Sequence, residues 1–115
     1  GETILIADDE KAIRELLTAE LTSTGYRVLT AANGAEAVAL FRENQSVVAL
    51  FITDGAMPVM NGRDAIAAMR NIRPMLPVIL TRGDAESDKS SKISVVNKPF
   101  SLEDILVSIR QNMVN

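Results

Sequence analysis

Three acids stand side by side at Asp8, Asp9 and Glu10, directly after the apolar run Thr3 to Ala7 in "ETILIADDEKAIREL". Like charges this close repel, and at the end of a buried segment they cannot all be hydrated cheaply. A cation, or a reaction that uses carboxylates, would relieve that cost. Three further residues stand in the same way after apolar runs: Asp54 after "VVALFIT", Thr81 after "PVIL", and Lys98 after "ISVVN". Carboxylates gathered in one place make a hard-oxygen site suited to Mg²⁺, which takes one or two carboxylates and keeps several waters. A carboxylate such as Asp54 can attack phosphorus to give an acyl phosphate, provided that a metal ion and an ammonium screen the two approaching anions. The new phosphoryl group would carry a charge of about −1.5 to −2, with oxygens able to draw in the Thr81 hydroxyl and the Lys98 ammonium.

Each residue alone has a plainer reading. Asp8 or Asp9 suits the N-cap of a first helix, Asp54 and Thr81 suit turns, and Lys98 before a proline suits a solvated surface. Their joint meaning depends on the elements that place them. Thr3 to Ala7 reads as a strand. Glu10 to Thr24 reads as a helix with Ile13, Leu16, Leu17 and Leu21 on its apolar face and Gly25 at its end. "YRVLTAA" is a second strand, and Asn33 with Glu36 three residues on opens a second helix through Val38, Leu40 and Phe41. "VVALFIT" is an apolar run of strand length that suits burial on both faces. An Asn61-Gly62 turn leads into "RDAIAAMRNI", where Ile66 and Met69 give a modest apolar face. "PVIL" and "ISVV" are two short strands, and Ser101 caps a last helix whose Leu102, Ile105, Leu106 and Ile109 share one side.

Strand and helix alternate throughout, which demands a parallel sheet with right-handed crossovers and helices on both faces. The expected fold is therefore α/β, a flavodoxin-like doubly wound five-stranded parallel sheet in the order 2-1-3-4-5, with its ligand site beyond the carboxyl ends of the strands. In such a sheet Asp8, Asp9, Asp54, Thr81 and Lys98 all converge on one edge.

Length and composition fit this expectation. The 115 residues suit a single domain over 1–115, with nearly half the residues hydrophobic but only three Phe and one Tyr as aromatics. A net charge of −3 offers no basic field for nucleic acid. No apolar run approaches a bilayer span and no signal-peptide pattern opens the chain, so a cytoplasmic location without membrane insertion is expected. The absence of Cys excludes disulfides and thiolate metal sites. Beginning at Gly1 rather than Met, the chain reads as an excised or trimmed segment.

The sequence resembles a response-regulator receiver domain of two-component signalling over essentially its whole length. The resemblance rests on "ILIADDE", on "LFITDGAMPVMNG", on "PVILT" and on "NKPF", in the family's order and nearly its spacing. It implies Asp54 as phosphoacceptor, a Mg²⁺ site made by Asp8, Asp9, Asp54 and the backbone carbonyl of Ala56, Thr81 as switch hydroxyl, Lys98 as phosphate-binding lysine, and a cis Lys98–Pro99 peptide. It also implies a regulatory domain rather than an enzyme in its own right, with a histidine kinase or histidine phosphotransfer domain as donor. The chain contains no histidine, so it can only be the accepting half of such a relay. The downstream protein partner stays open, and so does a homodimer.

Other chemistries fit less well. A phosphatase of haloacid-dehalogenase type would place a second Asp two residues after its nucleophile, where this chain has Ala56. A flavodoxin would cradle phosphate in a hydroxyl-rich loop after strand 1, where this chain has acids. No GxxxxGK occurs for a P-loop. An interaction module that is never phosphorylated would have no need of all five site residues. The chain departs from the receiver pattern in three places. The crossover "RGDAESDKSSK" is short and nearly all polar, so a reduced or missing fourth helix is expected there. Arg82 stands where a small residue is usual, and Val95 stands where the family carries an aromatic.

Overall fold

In a computed structural model, which describes residues 1–82 and 93–113, five strands and four helices follow one another along the described residues, alternating up to the fourth strand. They are β1 (Thr3–Ala7), α1 (Lys11–Ser23), β2 (Arg27–Ala31), α2 (Gly34–Glu43), β3 (Val48–Asp54), α3 (Gly62–Ile72), β4 (Val78–Arg82), β5 (Ser94–Asn97) and α4 (Leu102–Met113). The crossover over residues 83–92, where a reduced or missing fourth helix is expected, lies outside the described residues, as does the side chain of Arg82. The strands form one parallel sheet in the order β2-β1-β3-β4-β5, as the alternation requires.

The sheet is buried on both faces because its central strands carry apolar residues at successive positions, not only at alternate ones. Leu5, Phe51 and Leu80 face α2 and α3, where they join Phe41, Ile66 and Met69. Ile4, Ile6, Leu50, Ile52 and Ile79 face the other way and join Leu17 and Leu21 of α1 and Ile105 and Ile109 of α4. Each Phe, Leu, Ile or Met side chain so buried contributes about 1.5–3 kcal/mol relative to exposure, which is what fixes the register.

Helix starts follow the side chains at hand. Asn33 accepts from Glu36 N–H at 2.9 Å, and Ser101 accepts from Asp104 N–H at 3.1 Å while the Asp104 carboxylate accepts from Ser101 N–H at 3.1 Å. Asn61 is itself the cap of α3, accepting from Asp64 N–H at 2.8 Å. The helix therefore begins at Gly62, one residue earlier than "RDAIAAMRNI" suggests. Gly25 closes α1 with φ at +104°, a conformation that L side chains rarely adopt.

Two expectations of the apolar face need correcting. Leu16 lies outside the core, 47% exposed, because it sits at the margin of the α1 stripe that Leu17 and Leu21 occupy. The α3 face is fuller than modest: Ala65, Ile66 and Met69 are all buried, since small residues let this helix approach the sheet closely.

Candidate functional site

The pleat of the sheet builds the site. Ile6, Ile52, Ile79 and Val96 all belong to the cluster under α1 and α4. Side chains two positions apart on a strand share a face. Asp8, Asp54, Thr81 and Lys98 therefore prolong these same four rows past the carboxyl edge, in the spatial order β1, β3, β4, β5. Asp54 and Thr81 are direct register partners, and the Gly55 N–H donates to the Thr81 carbonyl at 2.9 Å, tying the β3 exit to β4. Asp9, one residue beyond Asp8, is exposed.

The structure brings the predicted acids and the lysine together. One carboxylate oxygen from each of Asp8, Asp9 and Asp54 lies within 4.8 Å of the others. The Lys98 ammonium stands 3.3 Å from Asp54 Oδ2 and 3.7 Å from Asp8 Oδ2. Thr81 is buried at the same edge. Ala56 stands two residues past Asp54, exposed in the turn that follows β3.

Burial and charge oppose each other here. Asp8 is 2% exposed, and that desolvation pushes its carboxyl above the usual value of 3.8, with the nearby Asp54 and Glu10 adding to it. The Glu10 N–H, which donates to Asp8 Oδ1 at 2.9 Å, and the Lys98 ammonium only partly offset this. For Lys98 burial acts downward, but the carboxylates of Asp8 and Asp54 outweigh it and hold the ammonium above its usual 10.5. The lysine is thus firmly charged, while one of its two acids is ionised at a cost. One ammonium does not balance three carboxylates.

The donor set fits a hard divalent cation. It consists of carboxylate oxygens alone, in a chain without His or Cys, and it retains surplus negative charge that a cation would neutralise. Mg²⁺ bound by one or two carboxylates with its remaining waters matches both features.

The turn between β3 and α3 keeps the Asp54 backbone in place. Gly62 N–H donates to the Gly55 carbonyl at 3.0 Å, and a Cβ on Gly62 would fall 2.2 Å from the Asp54 carbonyl oxygen, so only glycine lets α3 start this close. Val59, within the turn, has φ at 69°, where a β-branched residue is strained, and Met60 N–H closes a three-residue turn onto the Pro58 carbonyl at 2.7 Å.

The response regulator receiver domain family matches residues 4–110. This chain belongs to that family. A probable transcriptional regulatory protein of Mycobacterium tuberculosis, TcrX, is 32% identical over 114 residues, covering 94% of this chain and 48% of its own. The chain thus spans about half the length of the curated relatives it matches. Among solved structures, a response regulator receiver domain protein from Clostridium thermocellum superposes with a TM-score of 0.90 at 28% identity, covering 98% of this chain and 94% of that one. A complex of the histidine kinase ThkA with the response regulator TrrA matches with a TM-score of 0.85 at 31% identity, covering 99% and 100%.

This receiver domain shows further features around the site, of which the sequence announced only one. Leu16 and Ile13 of α1 meet Lys98, Pro99 and Phe100 around an open groove of about 470 Å³, beside the acids. The Lys98–Pro99 peptide is cis, as the resemblance implies. Arg14 donates from one guanidinium nitrogen to the backbone carbonyl of Asp8 at 2.7 Å. The helical spacing of Ile13 and Leu16 was legible, but not that they border the site; nothing in the sequence signalled the reach of Arg14.

Proposed function

We propose that this receiver domain accepts a phosphoryl group on Asp54 in a Mg²⁺-dependent reaction and changes its partner-binding surface in response. The observation that carries the reading is the convergence of Asp54 with Asp8 and Asp9 within 4.8 Å and with the Lys98 ammonium at 3.3 Å. Asp8, Asp9, Asp54 and the carbonyl of Ala56 would hold the ion, which when bound neutralises charge on the acids and on the incoming phosphoryl oxygens. An Asp54 carboxylate oxygen forms the new O–P bond while the donor's N–P bond breaks, its electron pair leaving on the imidazole nitrogen. Lys98 steadies the phosphoryl oxygens by charge-assisted hydrogen bonds. Thr81, the register partner of Asp54 on β4, then turns its hydroxyl to the same oxygens and carries the event into β4 and β5.

The donor is a phosphohistidine outside these residues, on a histidine kinase or a histidine phosphotransfer domain, since the chain holds no histidine. The solved kinase–regulator complex supports that class of partner. Its docking place would be the apolar groove of Ile13, Leu16, Pro99 and Phe100, where a partner's apolar side chains could cover Leu16 while a histidine reaches Asp54. The net charge of −3 argues against direct nucleic-acid binding by this domain. No described helix is long and apolar enough to cross a membrane. A relay fed by a histidine kinase would have this domain work in the cytoplasm. A single receiver unit over 1–115, serving regulation rather than turnover, completes the reading.

Incubation with phosphoramidate, followed by intact mass, tests it. The wild type should gain one phosphoryl group only with Mg²⁺ present, and Asp54→Asn should gain none. Labelling of Asp54→Asn at the wild-type rate, or labelling indifferent to a chelator, would reject the assignment.

A further inference from the structure

The turn that carries the acids is held differently from the other helix starts. α2, α3 and α4 each begin on an Asn or Ser side chain that accepts an N–H three residues on, at 2.9, 2.8 and 3.1 Å. Glu10, the residue before α1, makes no such side-chain bond. Two other bonds hold this turn: Glu10 N–H to Asp8 Oδ1 at 2.9 Å, and the Arg14 guanidinium to the Asp8 carbonyl at 2.7 Å. Asp8 is 2% exposed, so its carbonyl is nearly closed to bulk water, and a buried C=O without a partner is costly. Among the described residues Arg14 pairs with no carboxylate. Its guanidinium is committed to the backbone instead.

From this geometry we infer that Arg14 is a positioning residue for the Mg²⁺ site: by clasping the Asp8 carbonyl it fixes the rotation of the β1–α1 turn, and with it the convergence of the Asp8 and Asp9 carboxylates on Asp54. The inference rests on the reading of these acids as the Mg²⁺ site. A guanidinium on the carbonyl, not on a carboxylate, orders the turn without competing with the ion for its oxygens. Groups that orient metal ligands in this way typically change metal affinity by about 10- to 100-fold when removed.

Two effects of removing Arg14 have opposite signs, which makes the inference testable. If Arg14 were merely a nearby positive charge, its removal would tighten Mg²⁺ binding, because a cation no longer repels a cation. If it positions the acids, removal loosens binding. Calorimetric titration with MgCl₂ should find Arg14→Leu weaker than wild type by about tenfold, the low end of that range. Arg14→Lys keeps the charge but loses the planar fork, and should fall between the two. Without Mg²⁺, amide hydrogen exchange at Glu10 should speed up in Arg14→Leu while the β3 amides stay as slow as in the wild type. Equal or tighter Mg²⁺ binding by Arg14→Leu, wild-type affinity in Arg14→Lys, or unchanged exchange at Glu10 would each overturn the inference. A wild type that binds no Mg²⁺ would sink the site itself, an outcome distinct from a wild type that binds and variants that bind as well.

Discussion

β1 and β3 hold their ends of the site inside the molecule, whereas β5 holds its end close to the surface. Every residue of β1 is buried, and so is all of β3 except Ala49. β5 has four residues, alternately half-buried and exposed, and lies at the end of the sheet. The acids are therefore mounted on a part of the fold that costs much to move, and the lysine on a part that costs less. Under the proposed function that division suits a switch. An ion and a phosphoacceptor would need fixed geometry, while a response would need an element with two positions that a new charge can bias. Lys98, 24% exposed on its side chain, touches both halves at once.

The largest effect that would test this contrast is on stability. Ile52→Ala, in β3, should cost about 2–5 kcal/mol by lost burial and a residual cavity. Val96→Ala, half-buried in β5, should cost about 1 kcal/mol. Urea unfolding with unchanged slope measures both. Equal losses would mean that β5 is as firmly built as β3 and would remove the contrast.

Next comes the coupling between the halves. Lys98→Ala should slow phosphorylation of Asp54 by about a hundredfold, the scale of losing one aimed donor, but leave the acids able to accept. Backbone amide shifts on adding beryllofluoride should then stay confined to the ends of β1 and β3, with β5 and α4 silent. Thr81→Ala should show the same confinement. A full response in β5 and α4 from both variants would place the switch elsewhere.

A smaller effect concerns the price of ionising Asp8. Its carboxyl titrates above 3.8 mainly because it is buried. A raised carboxyl contributes stability that is complete below the unfolded value and is lost as pH rises through the folded one. At neutral pH without Mg²⁺, Asp8→Asn should therefore be more stable than the wild type, and the gap should close as pH falls toward 3.8. With Mg²⁺ added the order should reverse, since the wild type, with its full set of acids, gains more by binding. A wild type more stable than Asp8→Asn in chelator at pH 7 would show that the Lys98 pair outweighs the burial.

These contrasts are partly legible in the sequence. Apolar runs ending in Asp8, Asp54, Thr81 and Lys98, with "YRVLTAA" as the remaining strand, are enough to lay out five parallel strands and their common edge, because period and length together separate buried strands from amphipathic helices. That the four residues prolong one face follows from the pleat, yet the exact strand ends are needed to see it: β3 starts at Val48 and leaves Val47 exposed, though "VVALFIT" reads as one run. Leu16 was misplaced for a similar reason. Apolar spacing marks a stripe but not its margin, and a margin residue turns outward where a partner could cover it. Arg14 was invisible, because a charged residue within a helix ordinarily reads as solvated and only geometry shows it turning back to a carbonyl. The crossover over 83–92, which composition marks as polar and short, lies outside the described residues.

The smallest effect is expected within the rigid half itself, at the turn beside Asp54. Val59 is 83% exposed and held at φ 69°, so its side chain gains little from packing while its backbone bears the strain. A residue in the left-handed region costs about 1–2 kcal/mol, less for Asn, whose short polar side chain bonds locally. The turn persists because both its ends are fixed, by Gly55 to Thr81 on one side and by the Asn61 cap of α3 on the other. Val59→Asn should therefore raise stability by about 1 kcal/mol, read as a shift in the urea midpoint. Phosphorylation of Asp54 should be unchanged, because the ends of the turn, and not Val59, set the position of the acid. A stability gain accompanied by slower phosphorylation would mean that the strain at Val59 helps to shape the site. The buried half would then be a device under tension, not merely a rigid mount.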